Sequence, residues 1–142
     1  MAYQSVFKRY ELKYLLTRKQ KKAVLQAMAP YMELDEYGRK TIRNIYFDTE
    51  NYRLIRKSLE KPAYKEKLRI RSYSKVSSED MVFVELKKKY DSVVYKRRMA
   101  LEENQAMDWV LGKKPCVKQS QISNEIDYVL QYYRTLAPAV FL

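Results

Sequence analysis

The 142-residue sequence has no histidine, one cysteine and two glycines. Lack of histidine removes the commonest general base at neutral pH and the commonest transition-metal ligand. The single thiol, Cys116, excludes a disulfide within one chain and a cysteine-rich zinc site. Any metal would be held by oxygens, which favours magnesium, manganese or calcium. A lone thiol also fits a reducing compartment. The N-terminus lacks the apolar core of a signal peptide, and no apolar run is long enough to span a membrane. The chain therefore reads as soluble and cytoplasmic.

What is present is positive charge. Lysine and arginine number 29 against 17 acidic residues, a formal net charge of +12. Such an excess implies an anionic partner: nucleic acid, phosphate chains, nucleotides or an acidic surface. The hydrophobic share of 46% suits a folded chain, and the length suits one domain over residues 1–142.

Patterning predicts an α+β chain of about five strands with flanking helices. Phe7 to Tyr14 alternates strictly, as a half-buried strand does. Thr17 and Gln20 form a capping-box signature, so a helix is expected from there to Pro30. Thr41 to Asp48 is the second strand, with Thr49 read as the cap of a short helix that Pro62 closes. Strands are expected at Lys65 to Ser74, Met81 to Lys89 and, after a turn at Tyr90-Asp91-Ser92, Val93 to Ala100. Two helices follow, from Glu102 to Leu111 with Gly112 as stop, and from Asn124 toward Arg134. Ala139 to Leu142 reads like the beginning of another strand.

The strands gather charge on one face. Arg9, Glu11, Lys13, Lys67, Arg69, Arg71, Glu85, Lys87 and either Lys96 with Arg98 or Arg97 alone share it. On a flat sheet this would be a solvated outer surface. On a sheet curled inward it would line a basic channel, where two cations ~6 Å apart repel by roughly 3 kcal/mol at an effective dielectric near 20. Glu11 and Glu85 would offset part of that repulsion. Asp48 reads as a turn cap, and most tyrosines and Trp109 as packing.

In order along the chain, Arg9-x-Glu11-x-Lys13-Tyr14, Tyr46-Phe47-Asp48-Thr49, Lys67-Leu68-Arg69-Ile70-Arg71-x-Tyr73, Glu85-Leu86-Lys87 and Lys96-Arg97-Arg98 resemble the VTC (vacuolar transporter chaperone) domain. This is the polyphosphate polymerase branch of the CYTH-like triphosphate tunnel metalloenzymes. The resemblance implies an antiparallel β-tunnel whose lumen binds triphosphate and a divalent metal. Other branches open with E-x-E-x-K; Arg9 stands at the first glutamate, which favours the more basic VTC branch. VTC domains are longer than this chain, so it is expected to be their N-terminal portion, with an incomplete site.

The resemblance further implies transfer of the terminal phosphoryl of ATP to a phosphate chain. Arg69, Arg71 and Lys87 would act on the reacting phosphates. Arg9, Lys13, Lys67, Lys96 and Arg98 would hold the rest, the resemblance favouring Lys96 with Arg98 over Arg97. Glu11 and Glu85 are candidate ligands for Mn2+ or Mg2+ or else ion-pair partners, the main metal ligand being expected outside this chain. Partners would be ATP, polyphosphate or triphosphate; no nucleic acid is expected, and open strand edges allow a homodimer. The alternatives are a tunnel triphosphatase and a non-catalytic polyanion-binding module.

Overall fold

A computed structural model describes residues 5–142, leaving aside the side chain of Arg9. In chain order the elements are β1 (Val6–Tyr10), α1 (Arg18–Met28), β2 (Arg43–Asp48), α2 (Arg53–Leu59), β3 (Tyr64–Ser72), β4 (Met81–Tyr90), β5 (Val93–Glu102), α3 (Glu103–Val110), α4 (Gln121–Tyr133) and β6 (Ala137–Phe141). Among the described residues the strands form one antiparallel sheet in the order β1-β5-β4-β3-β2-β6. The expected α+β class holds. The sheet is not closed; β1 and β6 are its edges.

Strand alternation divides the sheet into two faces. Leu68 and Ile70 of β3, Val82, Val84 and Leu86 of β4, and Met99 and Leu101 of β5 turn to one side. There they meet Leu54 of α2, Ala106, Trp109 and Val110 of α3, and Ile126 and Val129 of α4. Leu68, Val84 and Leu86 are wholly buried, each worth on the order of 1.5–3 kcal/mol. Trp109 Nε1 donates to Asp127 Oδ1 at 2.6 Å, which ties α3 to α4. Helices α2, α3 and α4 cover this face, and the charged residues are left on the other.

Several boundaries differ from the sequence expectation, each for a local reason. β1 ends at Tyr10 because that residue pairs with Val93, where β5 begins; beyond it the ladder has no partner. Residues 11–16 leave the sheet, and Glu11 is thereby released toward Lys87. Thr49 does not open α2. The Asp48 carboxylate accepts from the backbone N–H groups of Thr49, Leu54 and Ile55 at 2.8–2.9 Å, and Thr49 Oγ1 accepts from Arg53 N. The helix starts at Arg53 after Tyr52, which sits at φ 56°. α4 starts three residues earlier than Asn124, because Ser120 and Ser123 cap it reciprocally. The C-terminal apolar run becomes a full sixth strand antiparallel to β2.

Two expectations hold closely. Thr17 and Gln20 form the capping box of α1, although none of that helix's residues is buried. Asp91 and Ser92 join β4 to β5 at φ 42° and 68°, the left-handed pair that a tight two-residue hairpin needs.

Candidate functional site

The second face of the sheet is cationic, and register explains how. Across β3, β4 and β5, Lys67 lies opposite Lys87, and Lys87 opposite Lys96; one pair further along, Arg69 lies opposite Glu85, and Glu85 opposite Arg98. Three lysines abreast on adjacent strands are an unfavourable arrangement, since like charges directly opposite destabilise a sheet.

Glu85 is the centre of this face. It is wholly buried, and Nε of Arg69 and Nε of Arg98 each donate to it at 2.6 Å, one to each carboxylate oxygen. Lys96 Nζ is 3.6 Å away and Arg71 Nε 3.9 Å away. Burial alone would raise the Glu85 pKa; Arg69, Arg98 and Lys96 overcome it and hold the carboxyl below its ordinary value. For Arg69, burial works against the charge, while Glu85 and Tyr46 more than compensate and raise its pKa. The carboxylate is thus ionised and fully engaged.

An aromatic shell surrounds this hub. Arg69 Nη1 donates to the Tyr46 hydroxyl and Arg98 Nη2 to the Tyr73 hydroxyl, both at 2.9 Å. The Arg98 guanidinium lies over Phe83 at 4.5 Å, and Lys96 Nζ over Phe7 at 4.0 Å. Arg71 Nε donates to Asn44 Oδ1 at 2.8 Å. Most tyrosines are expected to serve packing, but Tyr46 and Tyr73 hold site arginines. Strand register brings them there: Tyr46 pairs with Arg69 across β2 and β3, and Asn44 with Arg71.

Two cavities open on this face. The larger, about 390 Å³, is lined by Glu11, Lys13, Lys67, Arg69 and Lys87, and also by Lys65 and Lys89, which the sequence reading did not single out. The smaller, about 180 Å³, is lined by Glu11, Lys13, Arg69, Arg71, Lys87 and Lys96. Glu11 leans across to Lys87 at 3.4 Å and to Lys13 at 3.5 Å. Burial is the largest single influence and raises its pKa, but Lys87 and then Lys13 together bring it below the ordinary value. Lys13 is mostly exposed and Lys67 exposed at the rim. Arg98 is set behind Glu85 and lines neither cavity. Arg97 points to the helix face, where it pairs with Glu125 of α4 at 3.0 Å; Lys96 with Arg98 is therefore the pair on the charged face. The side chain of Arg9 lies outside the described residues; its backbone pairs with Val94.

The model of the VTC domain matches residues 8–141. The chain belongs to the VTC domain family. Its fold is similar to that of a Bacillus halodurans protein named "putative adenylate cyclase" in its crystal structure, at 17% identity and a TM-score of 0.53. The match covers 96% of this VTC chain and 60% of the other, so this chain spans less than two thirds of that neighbour. The likeness is one of fold. No curated protein matches in sequence.

A divalent cation does not fit the carboxylates on this face of the VTC chain. Both Glu85 oxygens already accept from arginines, and Glu11 is shared between two lysines. Among the described residues no three acidic, histidine or cysteine side chains converge as a metal site would require. Glu11 and Glu85 are arranged as counter-charges. Among the described residues no helix is long and apolar enough to cross a membrane.

Proposed function

We propose that this face binds a linear phosphoanhydride chain, the triphosphate of ATP or the end of a polyphosphate. The supporting observation is the lysine row Lys67, Lys87 and Lys96 in direct register. Nine described cations (Lys13, Lys65, Lys67, Arg69, Arg71, Lys87, Lys89, Lys96 and Arg98) share the face with Glu11 and Glu85. Glu11 and Glu85 offset only part of that excess, and a phosphate chain would offset more by supplying one negative group after another.

The reaction of this reading is polyphosphate synthesis. A terminal oxygen of the chain attacks the γ-phosphorus of ATP, the bond from that phosphorus to the β-bridging oxygen breaks, and ADP leaves with its electron pair. The chain gains one phosphate. Charge neutralisation and alignment supply most of the catalysis in such transfers. Arg69, Arg71 and Lys87 would neutralise the reacting phosphates; Arg9, Lys13, Lys67, Lys96 and Arg98 would support the flanking charge. An anionic phosphate nucleophile needs no strong base, consistent with a chain without histidine. Hydrolysis would need a carboxylate free to activate water; Glu11 and Glu85 are engaged with cations, and Glu66, which also lines the larger cavity, accepts from the Tyr64 and Tyr133 hydroxyls. A binding module without turnover uses the same geometry.

Since ATP would be the donor, cytoplasmic placement belongs to the same proposal. So does pairing of two copies through the β1 or β6 edges, whose outer backbone groups are open to another strand. Calorimetry with tripolyphosphate tests binding. Turnover is tested with ATP, supplied as its manganese or magnesium complex, and a polyphosphate primer. Absence of tripolyphosphate binding would remove the proposal, and chain growth would establish turnover.

A further inference from the structure

The guanidinium of Arg69 is fixed at two points before any ligand arrives. Its Nε donates to Glu85 Oε2 at 2.6 Å and its Nη1 to the Tyr46 hydroxyl at 2.9 Å. It lines both cavities. Glu85 cannot shift to accommodate it, because Arg98 grips the other oxygen and is itself held by Tyr73 and stacked on Phe83. A planar donor held by its Nε edge and one terminal nitrogen has little freedom to rotate, so its remaining N–H groups keep one direction.

We infer that Glu85 is a positioning residue, which with Tyr46 braces Arg69 so that its uncommitted N–H groups meet the phosphate chain. This rests on the phosphate-binding reading above. Arg98 stands behind as the counter-charge that fixes Glu85. The alternative is that Glu85 only neutralises neighbouring cations. The two accounts predict opposite signs. If Glu85 were mere compensation, removing its negative charge beside an anion site would tighten anion binding. If it positions Arg69, the same change weakens binding despite the gain in net positive charge.

The experiment is tripolyphosphate calorimetry on the full chain as wild type, Glu85→Gln, Glu85→Asp, Glu11→Gln and Tyr46→Phe, with circular dichroism to establish the folded fraction. Glu85→Gln should weaken binding by about tenfold or more, corresponding to at least one charge-assisted hydrogen bond. Glu85→Asp should recover part of the loss. Tyr46→Phe, which deletes one hydroxyl and leaves the ion pairs intact, should weaken binding by about two- to tenfold without lowering the melting temperature. Glu11→Gln should bind as tightly as wild type or tighter, because it releases Lys87 and Lys13. Folded Glu85→Gln that binds as well as wild type overturns the inference. If Glu85→Gln does not fold, Tyr46→Phe decides: weaker binding supports the brace, and unchanged binding overturns it. Wild-type chain that fails to bind tripolyphosphate would instead remove the underlying phosphate-binding reading.

Discussion

Lys96 Nζ lies 3.6 Å from Glu85 Oε1, on the strand next to it, and shares that carboxylate with two arginines. The lysine is buried, and this lowers its pKa most; Glu85 opposes the shift, while Arg98, Arg69 and Arg71 reinforce it, leaving the value at about 8. Lys87 is displaced the same way, by burial first, against the pull of Glu11. The two lysines therefore lose protons more easily than surface lysines do.

The sign of the pH effect follows. Between pH about 8 and the ordinary lysine value of 10.5, the folded chain holds fewer protons at Lys96 than the unfolded chain. This group's contribution to stability accordingly rises with pH across that window. Phosphate binding has the opposite trend, because an anion favours the protonated lysine. Tripolyphosphate affinity should be level below about pH 8 and fall above it, by up to about tenfold per pH unit from this group. Calorimetry in buffers of different ionisation enthalpy should show proton uptake on binding near that pH. Lys96→Arg should flatten much of the decline, and a wild-type profile level through the window would show that Lys96 does not face the ligand.

Arg71 offers the cleanest deletion among the arginines. Its Nε is bound to Asn44 at 2.8 Å and stands 3.9 Å from Glu85, so the tight Glu85 pairs survive its loss. Arg71→Ala should weaken tripolyphosphate binding by ~1.5–3 kcal/mol with little change in stability. Arg69→Ala should lose a similar amount of affinity and also destabilise the fold, since it removes the 2.6 Å partner of a buried carboxylate. Affinity at the wild-type level in both variants would refute their role.

The faces of the sheet were legible in the sequence because strand periodicity is rigid. Once Leu68 and Ile70 point inward, Lys67, Arg69 and Arg71 have to point the other way. The same parity places Lys96 and Arg98 with Glu85 once Val84 and Leu86 enter the core. Which of the two β5 parities was charged could not be read locally, since Lys96, Arg97 and Arg98 are all cationic; the Glu125 partner of Arg97 lies 28 residues away. The hub itself was hidden for the same reason. That Tyr46 and Tyr73 serve arginines, and that Glu11 leaves the ladder to reach Lys87, depend on contacts between residues far apart in sequence. Asp48 was legible, because a buried carboxylate between a strand and a helix start has backbone N–H groups within reach.

Asp48 gives a stability prediction independent of the charged face. It is buried and accepts three backbone hydrogen bonds, from Thr49, Leu54 and Ile55. Asp48→Ala leaves those N–H groups unsatisfied at the start of α2 and should cost about 1–3 kcal/mol in urea unfolding. Asp48→Asn, which keeps one acceptor, should cost less. Equal stability of wild type and Asp48→Ala would mean that water replaces the cap.

The last prediction separates a recessed phosphate site from an open nucleic-acid surface. Arg69 and Lys96 are each only 8% exposed, and they are reached through cavities of about 390 and 180 Å³, too small to admit a duplex. A phosphate chain is narrow enough to enter. Duplex DNA can meet only the outer cations, such as Lys13 and the exposed Arg18, Lys19, Lys21 and Lys22 of α1. Its binding should be weak and should fall steeply between about 50 and 200 mM salt, as counterion release dictates. Arg71→Ala should then reduce tripolyphosphate affinity while leaving duplex binding unchanged, and tripolyphosphate should displace the duplex only at concentrations that also act as salt. Fluorescence anisotropy of a labelled duplex, with tripolyphosphate as competitor, reads both quantities. Tight duplex binding that is lost in Arg71→Ala would mean that the charged face opens to nucleic acid, and the phosphate-chain assignment would have to be withdrawn.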